Sequence, residues 1–365
     1  MGHRRWTAIS AAMIGLLLAA APAAAQQTSL AVGPNGSISF TPGLRVQPRY
    51  TYDNADGNND FFIARVRFKG AGNAFGIATY YTELKLDNVG RFARSVSAQI
   101  ENAWLNFALE PAVAVRVGLY DAVFSRDALT SDSKLLFMDR SLVKDALTAV
   151  GLADNTVGLL AHSRPAGGRI ELSGGVFDNL AFETGGTGAN ARQADGAMVQ
   201  ARVGFHALDP APVGGFGDYQ GSYLGSGRRL SIAVSAAYLT KAKIDTTQVD
   251  LVGLGVDVFF NTGRLTAQAE YGQYDQDAST GDVLGKGWYA QAGYLVTTRI
   301  ELAARYQQLD PTDTGASDRV DWTSVGANYY VRGHNLKVQA DYTFKHEQVS
   351  QVNNDLLQVQ LQLDF

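Results

Sequence analysis

Apolar and polar residues alternate with a period of two along most of this chain, and no other feature restricts its fold as much. Side chains point to opposite faces at successive positions only in an extended strand, whereas a helix would repeat near 3.6 residues. The final stretch is the cleanest case. Leu357, Val359, Leu361, Leu363 and Phe365 alternate with Gln358, Gln360, Gln362 and Asp364. About sixteen such runs can be counted, near 44–53, 61–70, 75–86, 96–109, 112–120, 155–163, 169–177 and 197–206 in the first part. The remainder lie near 229–239, 249–260, 264–274, 286–296, 299–308, 321–331, 336–346 and 356–365.

The spacing between runs alternates as well. Short connections (261–263, 297–298, 332–335) are interleaved with longer polar ones (240–248, 275–285, 309–320, 347–353). A transmembrane antiparallel β-barrel predicts this arrangement, with tight turns at one rim, longer loops at the other and an even number of strands. Adjacent tyrosines near run ends (Tyr50/Tyr52, Tyr80/Tyr81, Tyr271/Tyr274, Tyr329/Tyr330) suit the aromatic girdles of such a barrel. A soluble sandwich is the competing fold, but runs of nine to twelve residues are long for one. A solenoid would need a fixed repeat, and none is visible.

Residues 1–25 carry Arg4 and Arg5, an apolar run, and small residues ending in Ala23 and Ala25, the layout of a secretory signal peptide. A retained anchor is the alternative. The expected division is therefore signal peptide 1–25, lead-in 26–43 and barrel 44–365. Without residues 1–25, Lys+Arg falls from 31 to 29 against 35 Asp+Glu. That acidic balance argues against a nucleic-acid partner. There is no cysteine, so neither disulfides nor thiolate metal sites enter.

Two segments break the alternation. Residues 121–154, the third long loop by parity, include Leu135, Leu136, Phe137 and Met138. A long loop inside a compact domain tends to be functional, and this one is too apolar to hang in water. It is expected to fold into the lumen as a constriction, with a lid across the mouth as the alternative. Residues 207–228 should be a short turn by parity and are too long for one; either the segment is an excursion or it hides a hairpin.

The run 102–143 ("NAWLNFALEPAVAVRVGLYDAVFSRDALTSDSKLLFMDRSLV") resembles the signature of the phosphate-selective porin O and P family. The likeness continues through 253–271, 287–311 and 325–344. It implies a sixteen-stranded, generally trimeric barrel of the Gram-negative outer membrane that passes anions through a constriction lined by Arg and Lys. It also implies roles for Ser125 and for the acidic–Arg–Ser step Asp139, Arg140, Ser141. The terminal Phe365 looks like the signal read by the outer-membrane assembly machinery. Two departures stand out: Ala64 and Arg65 replace an Arg pair, and Asp121 stands where a Lys commonly follows.

Selecting a multivalent anion requires several cations converging in a narrow, low-dielectric passage. Arg45, Arg49, Arg65, Arg67 and Lys69 share one face of two neighbouring runs, with Phe62, Ala64, Val66 and Phe68 on the opposite face of the second, while Glu83, Lys85, Glu101, Arg116, Arg169 and Glu171 make other faces mixed. The candidate pore and anion-binding set is thus Arg45, Arg49, Arg65, Arg67, Lys69, Ser125, Arg126 and Arg140. The expected function is passive diffusion of small hydrophilic solutes with a modest anion preference, with outer-membrane lipid around the barrel. A phosphate- or polyphosphate-specific channel and a surface receptor or adhesin are the alternatives. Every lumen Arg has a structural reading too, as the partner of a nearby carboxylate. The five His are scattered without metal-ligand spacing, no nucleophile elbow is present, and neither a cofactor nor enzymatic activity is expected.

Overall fold

The alternating runs pair edge to edge, each with its neighbour in the chain, in a computed structural model. It describes residues 29–33, 36–55, 57–92, 94–178, 196–212, 216, 219–244, 247–278, 283–312, 318–347 and 352–365. The expected signal peptide lies outside the described residues, as does part of the expected lead-in. The first strands are β1 (Leu30–Val32), β2 (Ile38–Asp53), β3 (Asn58–Ala74), β4 (Ala78–Val89), β5 (Ser97–Glu110) and β6 (Val113–Asp121). Next come β7 (Asn155–Ser163), β8 (Ile170–Asp178), β9 (Ala197–His206), β10 (Arg228–Ile244), β11 (Thr247–Thr262) and β12 (Leu265–Ala278). The last are β13 (Val283–Leu295), β14 (Ile300–Asp310), β15 (Val320–Arg332), β16 (Leu336–Glu347) and β17 (Leu356–Asp364).

Strands β2 to β17 form a closed antiparallel ring of sixteen, and each overlaps one alternating run. Closure is made by β17 against β2, with Gln360 opposite Arg49 and Asp364 opposite Arg45. The chain end takes part: Leu44 N donates to Phe365 O (2.8 Å) and Phe365 N to Leu44 O (3.0 Å). No edge of the ring is left open, which is the condition for a sheet to sit in lipid. β1 stands outside the ring and, among the described residues, pairs with Ile38–Phe40. The first ring strand begins at Ile38, ahead of the expected 44, because Pro42 and Gly43 interrupt the alternation without interrupting the pairing with β3.

The packing is inside out relative to a water-soluble domain. On β10 and β11, Ile232, Val234, Val252 and Leu254 are exposed, while Ser235 and Asp257 are buried. Only an apolar solvent makes that burial pattern favourable, since exposed aliphatic surface costs about 25 cal/mol per Å² in water. The closing strand follows the same rule, with Gln358, Gln360 and Gln362 buried on the lumen side.

Two local expectations are corrected. Neighbouring residues point to opposite faces, so adjacent tyrosines cannot all join a girdle; Tyr330 turns inward and donates to Glu301 (2.5 Å), and Tyr274 is also buried. A bulge on β3 places Gln47 opposite Arg65 and Pro48 opposite Ile63. The extra residue is Ala64, and the shift flips parity, so Phe62 and Ala64 are buried while Phe68 stays exposed.

Residues 122–154 fold into the lumen rather than across its mouth. They contain a short helix (Arg126–Leu129), a 3-10 turn (Asp132–Lys134) and a longer helix (Leu142–Ala149). Ala122, Val123, Phe124, Val143, Leu147 and Leu152 form a core with barrel residues such as Leu160, Phe177 and Leu251. The wall makes room for it. A Cβ on Gly253 would lie 2.5 Å from Leu152 Cδ1, and one on Gly272 would lie 3.0 Å from Val143 Cγ1. Residues 207–227, at the rim of the short turns, show no hairpin among their described residues; the segment is a genuine excursion and enters the lumen from that end. Thr130 and Tyr219 form a parallel bridge, and Gly221 N donates to Lys134 O (2.9 Å). Loop and turn thus meet inside the barrel.

Candidate pore and anion-binding site

The lumen loop crosses from one wall to the other, and hydrogen bonds along it fix its path. Gln200 Nε2 donates to Leu152 O (2.7 Å), and Leu142 N donates to Gln307 Oε1 (3.0 Å). Asn328 Nδ2 reaches Leu136 O (3.0 Å), and Lys337 Nζ reaches Leu135 O (3.2 Å). Two serines start the helices. Ser125 Oγ accepts from Ala128 N (3.2 Å) and Ser141 Oγ from Lys144 N (3.2 Å), as N-caps do. Ser125 is 1% exposed, so its place is that of a cap.

The basic stripe of β2 and β3 meets this loop, and each of its cations has a carboxylate. Arg45 pairs with Asp364 (3.0 Å) and also donates to Ser131 (2.9 Å) and Ser133 (3.2 Å). Arg49 pairs with Asp139 (2.7 Å) and donates to Gln360 Oε1 (2.9 Å). Arg65 pairs with Asp132 (3.1 Å), Arg67 with Glu83 (3.2 Å) and Asp87, and Lys69 with Asp364. Arg140 joins from the loop, 2.8 Å from Asp132, and donates to Asp127 O. Six cations (Arg45, Arg49, Arg65, Arg67, Lys69, Arg140) therefore face six carboxylates (Glu83, Asp87, Asp127, Asp132, Asp139, Asp364), Asp127 at 4.0 Å from Arg140, which leaves the cluster close to neutral.

Protonation follows from this packing. Burial pushes the Asp132 carboxyl up, but Arg65, Arg140, Arg67 and Arg45 outweigh it and hold it well below the usual range. Burial likewise raises Asp139, and Arg49, by charge and hydrogen bond, brings it down. For Arg140 burial works against the charge, and Asp132 and Asp127 more than restore it. Asp145, in the longer helix, is raised by burial because Lys144 offsets it only partly.

A second group of cations has no such compensation. Arg116 on β6 stacks on Trp104 (4.0 Å) and Phe216 (4.8 Å), and Arg126 stacks on Phe259 (4.0 Å) and Tyr219 (4.8 Å). Neither is within ion-pair distance of a carboxylate among the described residues. Arg305 on β14 lies over Phe137 (4.7 Å) and donates to Asp139 O (2.9 Å). On the far side Glu171 ties the turn to the wall. It accepts from Arg164 (3.0 Å) and from Tyr219 Oη, and lies 3.6 Å from Arg202.

Of the eight expected residues, Arg45, Arg49, Arg65, Arg67, Lys69 and Arg140 come together around Asp132, Asp139 and Asp364. Arg126 lies apart from them, in the aromatic group, and Ser125 caps a helix. Sequence reasoning missed Arg305, Phe216 and Tyr219, and it allowed each lumen arginine a carboxylate partner without naming which one. One signal was available: Phe216, Tyr219 and Tyr223 are an aromatic cluster in a segment that parity makes a turn.

The profile of the family described as "Phosphate-selective porin O and P" matches residues 40–365. An uncharacterized protein of Aquifex aeolicus is 27% identical, over 74% of this chain and 69% of its own length. Among solved structures, an anion-selective porin from Comamonas acidovorans superposes with a TM-score of 0.63 at 14% identity, covering 90% of this chain and 100% of that one. The outer membrane protein OmpT of Vibrio cholerae, in its trimer form, gives 0.62 at 11% identity with the same coverage. At these identities the structural likenesses speak for the fold alone.

Proposed function

The chain belongs to the phosphate-selective porin O and P family, and from that membership we propose that it is a passive outer-membrane channel for small hydrophilic solutes with a modest preference for anions. The observation that carries this reading is the near-neutral cluster on the lumen loop. An uncompensated stripe of five cations, with Arg140 added from the loop, would hold a multivalent anion tightly in a narrow passage. Here Glu83, Asp87 and Asp364 on the wall, joined by Asp132 and Asp139 on the loop, cancel most of its field. What remains positive is the aromatic-stacked group, Arg116, Arg126 and Arg305, and guanidinium cannot shed its proton.

The apolar outer face is suited to outer-membrane lipid, with the turn rim in the periplasm and the long loops outside. Residues 1–25 would be removed on export, and Phe365 would be read by the assembly machinery before it closes the ring. We place the protein in a homotrimer on the family resemblance. Its chemistry is transport rather than catalysis.

Planar-bilayer recording tests the proposal. The folded protein, verified by heat-modifiable migration on a gel, is expected to give open-channel steps and a reversal potential displaced slightly toward the anion in a KCl gradient. Millimolar phosphate should leave chloride conductance largely unblocked. Folded protein without conductance would end the channel reading and favour a receptor or adhesin barrel. A cation-selective reversal potential would end the anion preference.

A further inference from the structure

Five consecutive turns at the short-turn rim, from β7–β8 to β15–β16, each carry an exposed arginine in the turn or at its edge: Arg169, Arg228, Arg264, Arg299 and Arg332. The turns β3–β4 (75–77) and β5–β6 (111–112) contain no Lys or Arg. Asp209 is the one carboxylate among the described residues of the five turns, and it is turned to the backbone, accepting from Arg228 N (2.6 Å). This arc of the rim therefore carries an excess of positive charge. Its height on the barrel is set by its neighbours. Ile170 follows Arg169, Leu265 follows Arg264, Ile300 follows Arg299, and Leu230 stands two positions beyond Arg228; all four are exposed apolar residues. At about 3.3 Å per residue along a strand, each of these arginines lies within about 7 Å of the apolar belt. That is the level of lipid headgroups, where a long side chain can lay its methylenes on the belt and keep its charge in polar surroundings. Arg228 also shares the outward parity of Leu230, Ile232 and Val234. Arg169 Nη1 donates to the carbonyls of Ala207 (3.2 Å) and Leu208 (3.1 Å), and Arg264 Nη1 to that of Val296 (3.4 Å). The guanidinium groups of Arg228 and Arg299 make no hydrogen bond or ion pair among the described residues.

We propose that this arc binds the headgroups of an anionic phospholipid in the leaflet at the turn rim, with Arg228 and Arg299 as its principal contacts. A cation at every turn is not a uniform feature of the surface, since the opposite ends of the same strands are mixed, with Asp277 on β12, Lys286 on β13 and Asp321 on β15. Each Lys or Arg fixed near a membrane surface enriches negative lipid about fivefold. Guanidinium adds paired donors in a plane, which fit the oxygens of a phosphodiester better than a point charge does. A free anion has no acyl chain to lay on Ile170, Leu230, Leu265 and Ile300, so a lipid is the occupant that matches both halves of this surface. The arc is separate from the lumen stripe on β2 and β3. The proposal rests on the outer-membrane reading and deepens it by naming the lipid class; conduction plays no part in it.

Native mass spectrometry of the folded barrel tests this. In a non-ionic detergent with phosphatidylglycerol and phosphatidylcholine at equal concentration, the wild type should retain phosphatidylglycerol preferentially. Arg228→Gln combined with Arg299→Gln should lower that retention at least about tenfold, from two steps of about fivefold each. Both positions are exposed, and heat-modifiable migration verifies that the variant is folded. Arg94→Gln, exposed at the opposite rim, removes the same charge and should leave the preference unchanged. Inorganic phosphate at millimolar concentration should not displace the lipid. Equal retention of the two lipids by the wild type overturns the proposal, and so does wild-type retention in the double variant or an equal loss in Arg94→Gln. Displacement by phosphate overturns it too, by making the arc a site for free anions. A wild type that conducts but shows no lipid preference ends this proposal alone, whereas a barrel that retains the lipid and does not conduct ends only the channel reading.

Discussion

Replacing Asp132 with Asn removes one negative charge from the lumen and leaves the shape of the side chain unchanged. Asp132 faces Arg65 (3.1 Å), Arg140 (2.8 Å) and Arg67 (3.9 Å), so its loss unmasks guanidinium charge at the point where loop and wall meet. A permeating ion about 6 Å away feels a unit charge at about 0.7 kcal/mol in water. A Debye length of about 10 Å at about 0.1 M salt cuts this to about 0.4 kcal/mol. That is about a factor of two for chloride and the inverse for potassium, so their permeability ratio should rise about fourfold. The low-dielectric wall concentrates the field and makes this a lower bound. Reversal potentials of single Asp132→Asn channels in a KCl gradient measure it directly, and Arg65→Gln should move the ratio the other way. If the ratio stays at the wild-type value in channels of wild-type conductance, Asp132 does not set the lumen field and the compensation argument is wrong.

The loop can also be displaced without touching a charge. Gly253→Val puts methyls into space held by Leu152 and Phe124; overpacking of this kind costs about 1–3 kcal/mol, and single-channel records should show altered and more variable conductance levels. The acid range gives a third outcome. Asp132 and Asp139 titrate lower in the folded loop than in an unfolded chain, where an Asp titrates near about 3.9. Their stabilisation is therefore complete above about pH 4 and fades only as pH falls toward the depressed folded values. Conductance should persist from neutral pH down to about pH 4; loss of the open level well above that pH would contradict the ion-pair assignment. Finally, deleting Phe365 removes both backbone bonds to Leu44 that complete the ring. The assembled fraction, read by heat-modifiable migration, should drop, while conductance per assembled pore stays near wild type.

The ring was legible because its signal is local. Alternation in each run reports which face meets lipid, and all sixteen ring strands carry it. Boundaries failed where local chemistry interrupts the pattern without interrupting pairing, as at Pro42 and Gly43, and face assignments failed at the Ala64 bulge. The inward fold of 121–154 was readable from Leu135, Leu136, Phe137 and Met138, apolar residues with nowhere else to go. The state of the basic stripe was not. Arg45 and Asp364 lie at opposite ends of the chain, and Arg49 meets Asp139 only because the loop crosses the lumen. Parity can place a charge on the lumen face; it cannot say what stands opposite after a loop has turned through the barrel. The lumen turn escaped for the same reason, since Tyr219 acquires meaning only beside Thr130 and Glu171.

Two of the carboxylates that neutralise the stripe, Asp132 and Asp139, also fasten the loop. Asp139 is held by Arg49 and by Gln358 Nε2 (2.9 Å), and Asp132 by Arg65 and Arg140. Each carboxylate therefore sets both the field in the passage and the position of the segment that narrows it. Selectivity and aperture cannot be tuned independently through these residues, because any change that raises the field also loosens a tether. Arg116, in the aromatic-stacked group, has no such double duty. Arg116 is positioned by Trp104 and Phe216 through stacking rather than through a counter-charge, so its charge can be altered while the loop keeps its anchors. A change in anion preference at constant aperture is consequently expected from Arg116→Gln and not from Arg49→Gln, and the comparison of these two variants separates field from geometry.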